Sequence, residues 1–400
     1  MKKKIVQNLS VFFLGEMLSK ALPFLLLPYL TRVLDPDSFG QLSLFMALSG
    51  VFIIAVNWSF EGAVSRYYYR YGSKNFTNLI VLSICFIVIL DTILFIIALL
   101  FEQKIILYAI ICAGVQSIYN VLSSAQQCQK KVTNYLILQL GNSIVSVLCT
   151  VAFIEFLGSN YIYRVQSIII GLISAILIAI PLSIKLRKIR INVNNIKLNF
   201  LYCFGFGFPL ILHQASLYVK GQLDRLLVAQ SYDFSLLAYY SAAYQVASIF
   251  LIVVMALNKA TVPFFFEACK KNIVNYITVK KYFFRLLPLS LIPGFVLLFI
   301  PDYFYSFFLG DNYKHISSMV ALFTLGMGIQ IPYLLLVNFM FYLNENKSIA
   351  ICTIITSIAH VFIVLILKDF GLVPLSMSLI LSNTICVALL YYFVFTKTGK

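Results

Sequence analysis

The chain has 400 residues, of which 61% are hydrophobic and 11% charged, and its mean hydropathy is +0.94. Soluble domains carry roughly 25% charged residues, so a water-soluble globular protein is excluded, and continuous rather than alternating apolar runs argue against a membrane β-barrel. A net charge of +16 would suggest nucleic acid in a soluble chain, but here the basic residues fall mostly between apolar runs, where they orient a protein in the membrane.

The apolar pattern predicts an all-α membrane protein with twelve transmembrane helices, at 9–31, 40–62, 77–101, 105–127, 134–157, 163–184, 201–223, 236–258, 282–301, 317–342, 349–367 and 372–395. Each is close to the roughly 20 residues a helix needs to cross hydrocarbon. The opening Met1-Lys2-Lys3-Lys4 imitates a secretory signal. The run behind it is long, charged and without a small-residue cleavage site, so it is expected to be a retained first span.

That span carries Glu16 and Lys20, spaced i, i+4. Such a pair contributes only about 0.2–0.5 kcal/mol on an isolated helix, against about 2.5–3.5 kcal/mol for inserting one charge at the membrane centre. The two therefore face protein or water, as a structural ion pair or as the wall of a cavity. Pro23 and Pro28 are expected to bend this helix. Arg32 follows it. The second span leads into "RYYYRY" (66–71), which reads as an interface belt with Arg66 and Arg70 as anchors, although Arg66 could reach inward.

Asp91 stands at the centre of the third span with no local partner but Thr92. It is either a protonated, hydrogen-bonded structural group or a carboxylate that couples to protons or sodium. The fourth and fifth spans carry Gln116, Asn120, Gln126, Gln127, Gln129, Gln139 and Asn142. These amides either join helices or bind sugar.

After the sixth span, "KLRKIRINVNNIKLN" (185–199) divides the chain into an N-terminal lobe, 1–190, and a C-terminal lobe, 191–400, of six helices each. The seventh span is the most polar, with His213, Lys220, Asp224 and Arg225, and Pro209 is expected to break or start it. His213 is a core histidine or a ligand. The Lys220–Arg225 group is a snorkelling cluster at the outer surface or part of a functional site. A second long connection is expected at 259–281, beginning with Lys259.

Counted over this topology, Lys and Arg concentrate on the side of the N-terminus, which places both termini in the cytoplasm. Arg164 is assigned to the sparser, outer side. The eight cysteines lie in or beside apolar runs without metal-ligand spacing and read as small apolar residues. No nucleotide-binding loop, catalytic carboxylate pair, zinc spacing or serine elbow is visible, so no catalytic residue, metal or cofactor is expected.

Three stretches carry a family resemblance: "YLTRVLDPDSFGQLSLFMALSGVF" (29–52), "FGFPLILHQASLYVKGQLDRLLVAQ" (206–230) and "LLAYYSAAYQVASIF" (236–250). The chain resembles the Wzx-type O-antigen and polysaccharide flippases of the multidrug/oligosaccharidyl-lipid/polysaccharide exporter superfamily. The resemblance implies two six-helix lobes with pseudo-twofold symmetry, a MATE-like exporter fold, around a cavity open alternately to each side. It implies export of an undecaprenyl-diphosphate-linked oligosaccharide from the cytoplasmic to the outer leaflet of the inner membrane. Coupling to H+ or Na+ and association with other polysaccharide-assembly proteins follow as expectations, with no nucleic acid.

Arg32, Asp224 and Arg225 match motif positions. The cations expected to bind substrate are Lys20, Arg32, Arg66, Lys220, Arg225 and Lys259. The acids expected to couple ions or balance charge are Glu16, Asp91 and Asp224. The alternatives are a drug/cation antiporter of the same fold, a peptidoglycan-precursor flippase, or a membrane glycan polymerase or ligase. Short outer loops argue against the last.

Overall fold

A computed structural model describes residues 17–19, 21–184 and 193–397, and all its described elements are helical. Among the described residues ten helices are long and apolar enough to cross a membrane. They coincide with expected spans two to six and eight to twelve. The first expected span is described only from residue 17, and the seventh lies within a helix of 39 residues.

The chain divides into two compact units, one ending at Ala215 and one beginning at Ser216. The first holds α1 (Leu27–Val33), α2 (Pro36–Asn57), α3 (Phe60–Tyr71), α4 (Phe76–Leu99), α5 (Lys104–Cys128), α6 (Val132–Leu157), α7 (Tyr161–Ser183) and the start of α8 (Val193–Ser231). The helix starts are written in the sequence. Asp35 caps α2 by accepting the Ser38 N–H at 3.4 Å, with Pro36 in the first turn. Asn160 caps α7 through the Ile162 N–H at 2.9 Å. The acidic turn "DPD" is thus a helix start.

Polar amides and hydroxyls fasten this unit internally. Gln126, fully buried, donates to Ser183 Oγ at 2.6 Å and accepts from Asn134 at 3.1 Å. Gln139 donates to Ser123 Oγ at 3.3 Å. Such bonds join helices where no water competes.

The second unit holds the rest of α8, then α9 (Phe234–Lys270), α10 (Tyr276–Leu298), α11 (Asp302–Leu309), α12 (Ser317–Gly328), α13 (Gln330–Tyr342), α14 (Asn346–Leu367), α15 (Leu372–Ser376) and α16 (Ser378–Tyr392). Its core joins Phe283, Leu336, Met340, Cys352, Cys386 and Leu390. Asn383 donates to the Gly326 carbonyl at 2.9 Å, tying α16 to α12.

Two expectations about connections are corrected. Helix α8 begins at Val193 rather than near Pro209, so 193–199 is helical. Helix α9 continues through Pro263 to Lys270, so Lys259 lies inside a 37-residue helix and not in a loop. At 193–199 the helix outlasts its apolar stretch through polar residues, and at 259–270 it runs on through Pro263 and three phenylalanines. All eight cysteines are free thiols.

Candidate functional site

In the second unit, α8 carries charge into the protein. Asp224 and Arg225 are 4% and 6% exposed. Asp224 Oδ2 accepts the Tyr240 hydroxyl at 2.6 Å, and Oδ1 accepts the Arg225 backbone N–H at 2.9 Å. The Arg225 guanidinium lies 4.3 Å from the Tyr244 ring centre, donates to Gln222, and keeps an Nε without a hydrogen bond. Cation–π contact of this desolvated kind is worth about 2 kcal/mol. Tyr240 and Tyr244 in turn pack edge-on against Phe323 of α12, at 5.0 and 5.3 Å.

The i, i+4 spacing of Lys220 and Asp224 does not make an ion pair: the carboxylate is taken by Tyr240, and Lys220 lies beside Cys386 of α16. His360 of α14 is fully buried, with Nδ1 3.2 Å from Ser382 Oγ and Asp224 and Lys220 within electrostatic reach. Asp224 and Arg225 are therefore built into the unit, not spread over a surface.

In the first unit, Asp91 of α4 faces Gly114 of α5, where a Cβ would collide with its carboxyl group. Oδ1 is buried and without a hydrogen-bond partner. Arg164, assigned from sequence to the outer side, is 4% exposed: Nη1 donates to Ser146 Oγ at 2.9 Å and Thr150 Oγ1 at 2.8 Å. The Asn160 cap starts α7 four residues earlier, which turns Arg164 onto α6. Between α2 and α3 the membrane helix is broken at Trp58 and Ser59, both with left-handed φ, 43° and 54°. Beside the break a narrow crevice is lined by Trp58, Phe60, Leu82, Ser83, Phe86, Phe200, Cys203 and Phe204.

Residues 5–269 match the polysaccharide biosynthesis protein family. The chain belongs to that family. It is also 30% identical over 406 residues, 99% of each chain, to "Lsg locus putative protein 1" of Haemophilus influenzae. An "uncharacterized membrane protein" of the same organism is 30% identical over 363 residues, covering 89% of this chain and 88% of that one.

Among solved structures, an inward-facing multidrug-resistance MATE transporter of the MOP superfamily aligns with TM-score 0.72 at 13% identity, over 98% of this chain and 94% of that one. The lipid II flippase MurJ, in its inward closed conformation, aligns with TM-score 0.72 at 15% identity, over 98% and 88%. The fold is thus the MATE-like exporter fold, shared with a solved multidrug transporter and a solved lipid II flippase.

The other predicted site residues of this polysaccharide biosynthesis family member are dispersed. Glu16 and Lys20 lie outside the described residues, as does the side chain of His213. Arg32, Arg66 and Lys259 are exposed, on α1, α3 and α9. In the second unit Lys220, Asp224 and Arg225 share α8, and in the first unit Asp91 stands on α4, Arg32 on α1 and Arg66 on α3. Glu61 and His360 were not singled out from the sequence. Both are ionisable residues inside expected spans, which is by itself a signal of function.

Proposed function

We propose that the protein is a flippase that moves undecaprenyl-diphosphate-linked oligosaccharide repeat units from the cytoplasmic to the outer leaflet of the inner membrane by alternating access, coupled to H+ or Na+. In this reading both termini are cytoplasmic and the two six-helix lobes, 1–190 and 191–400, flank the path. The observation that carries it is the pair of cations on α8, the helix that contains the expected seventh span, in a polysaccharide biosynthesis family member: Arg225, with an Nε that makes no hydrogen bond, and the partly buried Lys220 five residues before it.

A diphosphate cannot shed its hydration and cross about 30 Å of hydrocarbon unaided. Lys and Arg replace that hydration with charge-assisted hydrogen bonds, while the polyprenyl tail stays in lipid. In this reading Lys20, Arg32, Arg66 and Lys259 are further cations for the substrate, and Glu16, Asp91 and Asp224 balance or couple charge. Other polysaccharide-assembly proteins would supply the lipid-linked unit and consume it.

The test is deletion followed by leaflet-resolved analysis of lipid-linked oligosaccharides. Repeat units are expected to accumulate in the cytoplasmic leaflet, and complementation by Lys220→Ala or Arg225→Ala is expected to restore export poorly although the variants insert and fold. Normal surface polysaccharide with both variants would remove Lys220 and Arg225 from substrate binding. The MATE alignment favours a second reading, a drug/cation antiporter, and export of a lipophilic cation in place of glycan would establish it.

A further inference from the structure

The break between α2 and α3 gathers oxygens that the fold leaves short of partners. Asn57 and Ser59 are 2% and 3% exposed, and Asn57 Oδ1 and Ser59 Oγ are buried without a hydrogen-bond partner. Asn57 Nδ2 donates to Glu61 Oε2 at 2.6 Å, and Gln214 of α8 also reaches that carboxylate. Among the described residues no Lys, Arg or His makes an ion pair with Glu61.

The break is not a frayed end. The Trp58 ring packs 5.6 Å from Phe86, ten residues inside α4, and a Cβ on Gly207 of α8 would collide with the Trp58 carbonyl. Ten residues of helix are about 15 Å, so the break lies well inside the bundle. Two non-glycine residues in left-handed conformation cost of order 1–3 kcal/mol each, and each buried orphan acceptor about 1–3 kcal/mol. Asn57 Oδ1 has only lone pairs to offer, Ser59 Oγ has lone pairs as well as a proton, and Glu61 adds a carboxylate that no cationic side chain pairs with among the described residues.

Interrupted membrane helices offer such oxygens to small cations. Among the described residues no three His, Cys, Asp or Glu side chains come together to hold a metal ion. A single carboxylate with neutral oxygens matches the charge of an alkali ion better than that of a divalent metal, which draws several carboxylates.

We propose that the break between α2 and α3 is a binding site for a sodium-sized monovalent cation, with Asn57 Oδ1, Ser59 Oγ and the Glu61 carboxylate as ligands. The site stands on the geometry of the first unit alone, whereas its use as the coupling ion of transport rests on the flippase reading above. Trp58, the chain's one tryptophan, lies at the break and reports on it.

The test is binding of radioactive sodium to the purified full-length chain in detergent, with potassium and choline as competitors, alongside Trp58 fluorescence. Saturable sodium binding is expected, with Glu61→Gln weakening it by at least about tenfold and Ser59→Ala by a smaller factor. Gel filtration and circular dichroism verify that both variants fold. The proposal is overturned if the wild-type chain binds no sodium saturably, if binding is unchanged in both variants, or if the fluorescence answers to pH alone, which would make Glu61 a proton site only. Sodium binding without glycan export would overturn the flippase reading and leave this site standing; export without sodium binding would do the reverse.

Discussion

Single side chains in this protein answer to a simple rule: a buried polar group keeps its place only if its neighbours replace water. Tyr240 does this for Asp224. Tyr240→Phe removes the 2.6 Å bond to Oδ2 and is expected to lower stability by about 1–3 kcal/mol, read as a fall in Tm of the detergent-solubilised protein. Arg164 is the opposite case. Its guanidinium is held by hydroxyls, and Thr150 Oγ1 also bonds the Ser146 carbonyl, at 2.6 Å. Replacing a buried charge by an apolar side chain of similar volume is often neutral or stabilising, so Arg164→Met is expected to hold or raise Tm.

Outside the spans, Asp302 accepts the Ser317 N–H at 3.3 Å and lies 3.1 Å from His315 Nδ1. The Ser317 bonds foremost, and His315 after them, hold its carboxyl below the ordinary value. A folded-state pKa below the unfolded one contributes stability above about pH 4, and that contribution is lost as pH falls through the folded value. The gap in Tm between wild type and Asp302→Asn is therefore expected at neutral pH and should close in strong acid. A gap independent of pH would mean that ionisation plays no part.

At the scale of elements, the sequence was most legible where a run is apolar along its whole length. Ten expected spans have a matching helix because insertion in lipid demands a continuous hydrogen-bonded backbone. It was least legible where helices leave the membrane. The continuation of α9 from Lys259 to Lys270 contains Pro263 and is flanked by lysines, so a loop was the natural reading although Phe264, Phe265 and Phe266 lie within it.

The site was legible only in part. Asp224 and Arg225 stand out as charges at the end of an expected span, yet their partners Tyr240 and Tyr244 lie sixteen and nineteen residues on, where composition is silent. The joint of α2 and α3 was hidden for another reason: "NWSFEG" contains no proline, and a glycine comes only at its end. Its conformation comes from packing against α4 and α8. Gly207→Ala is accordingly expected to perturb Trp58 fluorescence, because the added methyl meets the Trp58 carbonyl. An unchanged emission spectrum would show that α8 does not brace the joint.

For the molecule as a whole, the distribution of apolar surface is inverted relative to a soluble protein. Leu148, Phe156, Leu177, Phe299 and Ile366 are more than half exposed, while Gln126, Asp224, Arg225 and His360 are inside. This is a chain whose solvent is lipid. Short helix α11 shows a related pattern, with Tyr303, Phe304 and Phe307 exposed beside buried Tyr305 and Leu309, as aromatic residues arrange themselves at a membrane boundary.

Helix α9 has one further consequence. Its 37 residues rise about 55 Å, nearly twice the hydrocarbon thickness of about 30 Å. A straight, upright helix of that length cannot lie wholly in hydrocarbon, and exposed Lys270 and Lys271 mark its C-terminal tip as the end that leaves it. A protease added to sealed vesicles reaches that tip from one side only, so whether it is clipped there tells an observer which way the entire chain was threaded, without fusing a reporter to either end.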